Sequence, residues 1–224
     1  MNWLNGLTEE TQKVFEQISK LECIKNLYLC GGTAISLQLQ HRKSEDLDFE
    51  QIITFGEKKE LNISEIATEI QNNFPNSRKE ILGNDHIIFY TDKNVKISFF
   101  KPENRVPTLN KGFVYNNLKT VSKQDLLGMK LYVINVRNTF RDYYDIYALL
   151  KAGCDLKKGI EYAGKFSKNK IHSKQIYTTL QTPVLFKKEK SFDLLNPTEN
   201  IDSNQISNYI KTIIQKEQKN KLKI

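Results

Sequence analysis

The sequence predicts an α+β protein in which an N-terminal lobe with a mixed sheet precedes a helical C-terminal lobe. Two observations lead to this prediction. Up to about residue 117, short apolar runs that end at turn residues alternate with segments of helical periodicity. From Ser122 onward every periodic segment is helical. We therefore place the two lobes at residues 1–117 and 118–224.

The first lobe is expected to begin with helix, strand, helix and strand. Residues 8–21 carry apolar side chains at helical spacing, with Thr8 as the N-cap. The apolar run 27–30 stops at a Gly-Gly turn, which is typical of a buried strand, and the next helix covers residues 33–40. Residues 46–53 begin with alternating acidic and apolar side chains and form the second predicted strand.

The remaining elements follow from the same signals. Residues 63–74 form an amphipathic helix closed by Pro75, and residues 86–90 and 95–100 form the two strands of a hairpin. A connector punctuated by prolines covers residues 181–200. The helices predicted in the second lobe are 122–137, 139–152, 155–167 and 201–220.

Composition excludes several classes of protein. No stretch approaches the roughly 20 apolar residues that span a bilayer, and the N-terminus lacks the basic-then-apolar layout of a secretory signal. The three cysteines include no Cys-x-x-Cys pair, and the histidines show neither zinc-ligand spacing nor a Ser-His-Asp arrangement. We expect a cytoplasmic protein without membrane contact, a disulfide framework or zinc.

The net charge of +8 is concentrated in the last third of the chain. Residues 1–150 hold 19 basic and 19 acidic side chains, whereas residues 151–224 hold 15 lysines, no arginine and 7 acids. A lysine-only excess suits diffuse contact with a polyanion such as a nucleic-acid backbone. A solvated surface in a lysine-rich proteome explains it equally well, because net charge acts on solubility and not on fold.

Two short motifs carry the chemistry of the first lobe. Gly31, Gly32 and Thr33 join a strand to a helix, where bare backbone amides at a helix N-terminus can accept phosphate. Asp46 and Asp48 are two apart on a predicted strand, so both carboxylates share one face. Paired carboxylates suit Mg²⁺, which binds one or two protein oxygens and completes its shell with phosphate and water. The structural alternative is a turn cap at Asp46 and a solvated edge at Asp48.

These two motifs, with the basic segment His41–Ser44 before the second, resemble the nucleotidyltransferase signature. More narrowly, residues 31–49 (GGTAISLQLQHRKSEDLDF) are similar to the AbiEii/AbiGii toxin family of nucleotidyltransferase-like proteins. Later blocks at residues 95–100, 125–130 and 141–145 are similar to the family in kind and order. The resemblance covers roughly residues 25–152.

The resemblance implies a polymerase-beta-like nucleotidyltransferase fold and a magnesium-dependent transfer of a nucleoside monophosphate from a nucleoside triphosphate onto an acceptor hydroxyl. It implies the toxin of a bacterial toxin–antitoxin or abortive-infection pair, with RNA, and tRNA in particular, as the expected acceptor and a cognate antitoxin as a partner. In this interpretation Gly31, Gly32 and Thr33 cradle the phosphates, with Arg42 and Ser44 beside them, and the Asp46–Asp48 pair binds the metal.

Two cations fall within the apolar stripe of the predicted helix 122–137, namely Lys130 and Arg137. Unpaired buried charge costs several kcal/mol, so each requires an anionic partner. Either both face a cleft and hold triphosphate, or they pair with core carboxylates or reach along the stripe to water. The family's lysine block favours the cleft position for Lys130. For Arg137 both alternatives remain open.

The functional acid of the second lobe is either Asp142 or Asp145. Thr139 and Asp142 have capping-box spacing, which explains Asp142 without catalysis, and surface exposure explains Asp145 equally simply. The resemblance to the family's Arg-Asp-x-x-Asp block implies that one of them orients or deprotonates the acceptor. The residues do not decide which.

A third carboxylate is expected on a later strand of such enzymes, and Ser98 occupies that position. A serine is neither a strong metal ligand nor a base unaided. Either Asp142 or Asp145 substitutes, or the second metal site is weak, or the protein binds nucleotide without efficient turnover. The alternatives to an RNA-modifying enzyme are a non-catalytic nucleotide- or RNA-binding module on a decayed scaffold and, separately, a small-molecule nucleotidyltransferase of the antibiotic-modifying kind.

Overall fold

The strands belong to one mixed sheet in the computed structural model, which describes residues 3–54, 59–103, 106–107, 109–166 and 171–221. Across the seven strands of these described residues the order is β3-β4-β5-β2-β1-β7-β6. The bounds are β1 (Tyr28–Leu29), β2 (Leu47–Glu50), β3 (Arg78–Ile81), β4 (His86–Tyr90), β5 (Lys96–Phe100), β6 (Lys111–Tyr115) and β7 (Leu118–Val121).

Strand β2 lies at the centre of the sheet and fixes the register of its neighbours. It pairs in parallel with β5, which sets Asp48 opposite Ser98, and antiparallel with β1. Strands β4 and β5 form the hairpin that the sequence predicts. Strand β1 pairs in parallel with β7, so the sheet extends past the lobe boundary placed after residue 117.

The helices cover both faces of this sheet. Their bounds are α1 (Glu9–Ile18), α2 (Gly31–Leu39), α3 (Ile63–Asn73), α4 (Lys123–Val133), α5 (Phe140–Lys151), α6 (Leu156–Phe166), α7 (Ser173–Leu180), α8 (Lys190–Asp193) and α9 (Ser203–Lys221), with short 3-10 helices at Trp3–Gly6 and Pro183–Leu185. Side-chain caps at Thr8, Asn62, Ser122 and Thr139 open α1, α3, α4 and α5. No helix in the described part of the chain is long and apolar enough to cross a membrane.

Several predicted boundaries differ from the structure. Helix α2 begins at Gly31 and not at residue 33, and α4 ends at Val133, so the helix predicted to residue 137 is too long. The last residue of the predicted helix 155–167 lies outside the described residues. Strand β3 was not predicted because its sequence (RKEI) is polar, as suits an exposed edge of the sheet.

Alternation along β2 separates the hydrophobic core from the site. Leu47 and Phe49 are buried in the core that α1 and α3 cover. Asp48 and Glu50 lie on the opposite face and are half-buried. Helices α2 and α4–α9 pack over that second face around their own core. The acidic side chains of β2 therefore point between the sheet and the helices.

Candidate active site

A polar cavity of about 300 Å³ lies where the sheet meets α2, α4 and α5. Most of the residues that the sequence singles out line it, although Gly31 and Asp145 do not. Gly31 instead lines a second, adjoining cavity. The sequence candidates that line the polar cavity are Gly32, Thr33, Arg42, Ser44, Asp46, Asp48, Lys130, Arg137 and Asp142.

The start of α2 requires glycine for two separate reasons. Gly31 has φ of 67°, a conformation that L side chains rarely adopt. A Cβ on residue 32 would lie 2.3 Å from Nη2 of Arg42, so glycine lets the guanidinium pack against the helix N-terminus. The Thr33 hydroxyl donates to the carbonyl of Asp46 and lies 2.8 Å from the Ser44 hydroxyl. Thr33 and Ser44 thus hold the acidic strand in place, and both are buried.

Asp46 and Asp48 face the polar cavity with their carboxylates 43% and 33% exposed. The ammonium of Lys96 lies between them, with Nζ 3.5 Å from Asp46 Oδ2 and 3.4 Å from Asp48 Oδ1. Burial raises the pKa of Asp46 despite this cation. Burial lowers the pKa of Lys96, but the carboxylates of Asp48 and Asp46 outweigh it and raise that pKa above its ordinary value.

This pair of carboxylates fits Mg²⁺, since it supplies the one or two protein oxygens that the ion takes when phosphate fills its remaining positions. The position of Lys96 shows that the pair attracts a cation. Among the described residues no group of three His, Cys, Asp or Glu side chains is placed to hold a metal ion. A metal bound here would therefore depend on oxygens from a ligand.

Asp145 is fully buried and lies at the centre of a cluster of basic side chains. Arg42 donates to it through Nε at 2.8 Å and Nη2 at 3.0 Å, and Lys130 Nζ and His41 Nε2 lie 2.8 and 2.7 Å from its oxygens. Burial raises the pKa of Asp145, but Arg42 and Lys130 hold it well below its ordinary value. The alternative explanation of Asp145 by surface exposure is wrong, because His41 and Arg42 of a distant segment and Lys130 of α4 enclose its carboxylate.

Asp142 bridges this cluster to the cavity. Lys130 Nζ lies 2.5 Å from Asp142 Oδ1, Arg137 Nε donates to Oδ2 at 2.8 Å, and the Thr139 hydroxyl donates to Oδ2 at 2.6 Å. The backbone N–H of Asp142 donates to the Thr139 hydroxyl, which is the predicted cap. Burial raises the pKa of Asp142, but Lys130 and Arg137 lower it below its ordinary value.

Both interpretations of Lys130 apply, because it is buried against two carboxylates and also lines the cavity. Arg137 lies beyond the end of α4, and its side chain is 62% exposed. The interpretation of Arg137 as part of a buried helical stripe is wrong, as 69% exposure of neighbouring Val136 also shows. Its guanidinium reaches back to Asp142 at the rim of the site.

A second cavity of about 450 Å³ adjoins the polar one and is largely apolar. Glu50 lines it, two residues beyond Asp48 on the same face of β2. Burial, followed by the charge of Asp48, raises the pKa of Glu50 to about 8. Ser98, at the position of the expected third carboxylate, has its hydroxyl 3.0 Å from Nε2 of His86.

Sequence reasoning missed Lys96 and Glu50 as site residues. The alternation Asp46, Asp48, Glu50 is visible in the sequence, and the predicted strand 46–53 places all three on one face. Lys96 comes close to Asp46 only because β5 pairs in parallel with β2, with Ile97 opposite Leu47. The sequence of either strand alone does not predict which strand it pairs with or in which register.

Comparison with known proteins supports the predicted resemblance over a longer segment than residues 25–152. The family described as "Nucleotidyl transferase AbiEii toxin, Type IV TA system" matches residues 13–196. A curated relative, the uncharacterized protein aq_aa25 of Aquifex aeolicus, is 33% identical over 158 residues, which are 69% of this chain and 73% of that protein.

Two solved structures have similar folds. JHP933 from Helicobacter pylori superposes with a TM-score of 0.54 and 17% identity, covering 97% of this chain and 100% of that one. MenT4, the nucleotidyltransferase toxin Rv2826c from Mycobacterium tuberculosis, gives a TM-score of 0.51 and 12% identity over 89% of this chain and 83% of its own. At these identities the likeness concerns the fold, and it confirms the predicted nucleotidyltransferase fold class.

Proposed function

Because the chain belongs to the AbiEii family of nucleotidyltransferase toxins, we propose that it transfers a nucleoside monophosphate from a nucleoside triphosphate to an acceptor hydroxyl. The observation that carries this proposal is the polar cavity, where the N-terminus of α2, a carboxylate pair and several cations meet. A triphosphate needs cations and amides for its oxygens, and its transfer needs a cation at the reacting phosphate.

Asp46 and Asp48 would hold Mg²⁺ in this reaction. When bound, the ion supplies charge neutralisation and polarisation at the transferring phosphoryl group. Lys96 lies within reach of both carboxylates, so its ammonium can contact a phosphate oxygen placed beside them. Gly32 lets the guanidinium of Arg42 pack against the start of α2, so a cation and the helix N-terminus can meet the other phosphates together.

Two acids of the second lobe hold the cations of the site in place. Asp142 positions Lys130 and Arg137 at the cavity, while Asp145 holds Lys130 and Arg42 from behind. Carboxylates whose pKa values are lowered by such pairs are poor bases. We therefore assign Asp142 and Asp145 to positioning. The proton of the acceptor hydroxyl would be accepted by one of the two exposed carboxylates, Asp46 or Asp48.

The acceptor we propose is RNA, with tRNA as the first candidate, and the protein is proposed to act in the cytoplasm as a toxin with a cognate antitoxin. We propose the antitoxin because the family is described as part of a toxin–antitoxin system. The 15 lysines of residues 151–224 support a polyanionic acceptor.

The second candidate is a nucleotide-binding module without turnover. Ser98, in place of a third carboxylate, favours it, as does the salt bridge of Lys96 with both aspartates. Such a module would still bind nucleoside triphosphate in the polar cavity.

Incubation of the protein with labelled nucleoside triphosphates, Mg²⁺ and total tRNA tests the first candidate. We expect label on RNA with the wild type and with Asp92→Ala, an exposed acid on the β4–β5 turn, and none with Asp46→Ala. Nucleotide binding without label on RNA or on any other acceptor would support the module. Label on small-molecule drugs added as acceptors, and none on RNA, would contradict the RNA acceptor but not the nucleotidyl transfer.

A further inference from the structure

The apolar cavity has no role in the transfer of phosphate as proposed above. Its walls come from β5, the C-terminal turn of α4 with the residues after it, and the end of α6. The apolar side chains that line it include Phe100, Met129, Tyr132, Val133, Val136 and Phe166.

Part of this apolar lining is open to solvent. Val136 is 69% exposed, and Phe100 and Val133 are half-buried. The rings of Tyr132 and Phe166 meet edge to face at 4.9 Å and make a rigid aromatic wall. Apolar surface left open in a concave site gains free energy when a ligand covers it.

The two cavities share their boundary. Asp48, Lys96, Lys130 and Arg137 line both of them. A single molecule that fills both must therefore carry anionic groups at one end and a flat apolar group at the other. The apolar cavity, at about 450 Å³, lies within the range of small-molecule sites.

Away from the shared boundary, the polar side chains of the apolar cavity lie on the sheet. Glu50 and the Ser98–His86 pair are placed on β2, β5 and β4, facing the apolar wall of α4. The cations that line this cavity, Lys96, Lys130 and Arg137, lie at its boundary with the polar cavity, so the phosphates are expected on that side. A ring with N–H groups on its edge, in contrast, can donate to a carboxyl oxygen.

We propose that the apolar cavity binds the nucleobase of the nucleoside triphosphate, and that Glu50 accepts a hydrogen bond from an N–H on the edge of the base. This inference rests on the proposed function, because it needs the phosphates of the same molecule in the polar cavity. It makes Glu50 and Val133 determinants of nucleotide affinity and base preference.

Direct binding measurements test the proposal without turnover. Isothermal titration compares inorganic tripolyphosphate, which has no base, with the four ribonucleoside triphosphates. Val133→Trp fills the apolar cavity, and we expect it to weaken nucleoside triphosphate binding about tenfold or more while tripolyphosphate affinity changes less than about twofold. Val184→Trp adds the same side chain at a 74% exposed position that lines neither cavity, and it should change neither affinity.

Glu50 is tested with a pair of variants. Glu50→Leu removes the acceptor, so at least one nucleoside triphosphate should bind about three- to tenfold more weakly, with tripolyphosphate bound at least as well as before. Glu50→Gln keeps a carbonyl oxygen and should retain most of the affinity. If Val133→Trp loses both ligands through misfolding, Glu50→Leu, which adds far less volume, decides the question.

The outcomes separate this inference from the proposed function. If the wild type binds neither ligand, the proposed function fails. If it binds nucleoside triphosphates and Val133→Trp and Glu50→Leu bind them as tightly as the wild type, the base lies elsewhere and this inference is overturned. The same conclusion follows if these variants lose affinity for RNA alone, because the cavity would then hold a base of the acceptor.

Discussion

The two aspartate pairs of the site have the same chemistry and opposite surroundings. Asp46 and Asp48 are 43% and 33% exposed and share a single ammonium at 3.4–3.5 Å. Asp142 and Asp145 are buried and pair with cations at 2.5–2.8 Å. A carboxylate with free lone pairs can bind a ligand, whereas one whose lone pairs are taken can only hold its partners in place. The first pair is thus suited to binding a ligand, and the second pair to holding the cations of the site in place.

Asp48→Asn should have the largest effect, and that effect should be on activity. Removing one of two metal-binding carboxylates is expected to lower kcat by about 10³-fold, or ~4 kcal/mol in the barrier. The half-exposed side chain has little packing to lose, so the melting temperature should stay close to that of the wild type. Single-turnover transfer of labelled nucleotide measures the rate. Wild-type activity in Asp48→Asn would contradict the assignment of the exposed pair to metal binding.

Asp145→Asn should instead affect stability. It leaves the charges of Arg42 and Lys130 without their shared partner in a buried site, which we expect to lower the free energy of unfolding by about 3–5 kcal/mol. Urea denaturation measures this, and Asp85→Asn is the matched control, since its 53% exposed carboxylate pairs with Lys101 at 3.0 Å. A surface pair of that kind is worth about 0–1 kcal/mol.

The pH dependence of this effect follows from the lowered pKa of Asp145. Its stabilisation is fully present above the ordinary pKa of an aspartate and is lost as the pH falls through the lower folded value. The difference between wild type and Asp145→Asn should therefore shrink in strong acid. A difference that stays constant to the lowest pH would mean that lost packing, and not the ion pairs, accounts for it.

The contribution of Glu50 to stability should change with pH in the opposite direction to that of Asp145. Its pKa is raised to about 8, so between the ordinary value of 4.5 and that pH the folded protein binds more protons than the unfolded chain, and this group makes stability fall as pH rises. Glu50→Gln removes that contribution. We expect the variant to gain stability relative to wild type as the pH increases from 5 to 8, as urea midpoints will show. An unchanged difference would contradict the burial of this charge.

The contrast between the pairs also shows how far sequence reasoning reaches. Local signals predicted the caps at Thr8 and Thr139 and the shared face of Asp46 and Asp48, because each depends on spacing within one element. The burial of Asp145 depends on Arg42, which is 103 residues away, so no local pattern contains it. Helix α4 ends before Arg137, although the apolar pattern continues to Val136 and predicts a longer helix.

The smallest expected effect concerns the lysine-rich last third, which lies outside both aspartate pairs. Lys158, Lys165 and Lys174 are exposed on α6 and α7, and replacing all three with Gln removes three candidate phosphate contacts from the proposed RNA acceptor. RNA affinity should fall about three- to tenfold at moderate salt, and the slope of log affinity against log salt should decrease by up to about 2–3, with nucleotide binding unchanged.

The matched control for this change replaces Lys13, Lys20 and Lys25, which are exposed in the first lobe. Both triple variants remove the same net charge, so a general electrostatic attraction would weaken RNA binding equally in the two. A loss confined to the first triple places the acceptor on the α6–α7 side, next to the end of α6 that supplies Phe166 to the apolar cavity. An equal loss in both would mean that the uneven charge distribution has no part in acceptor binding.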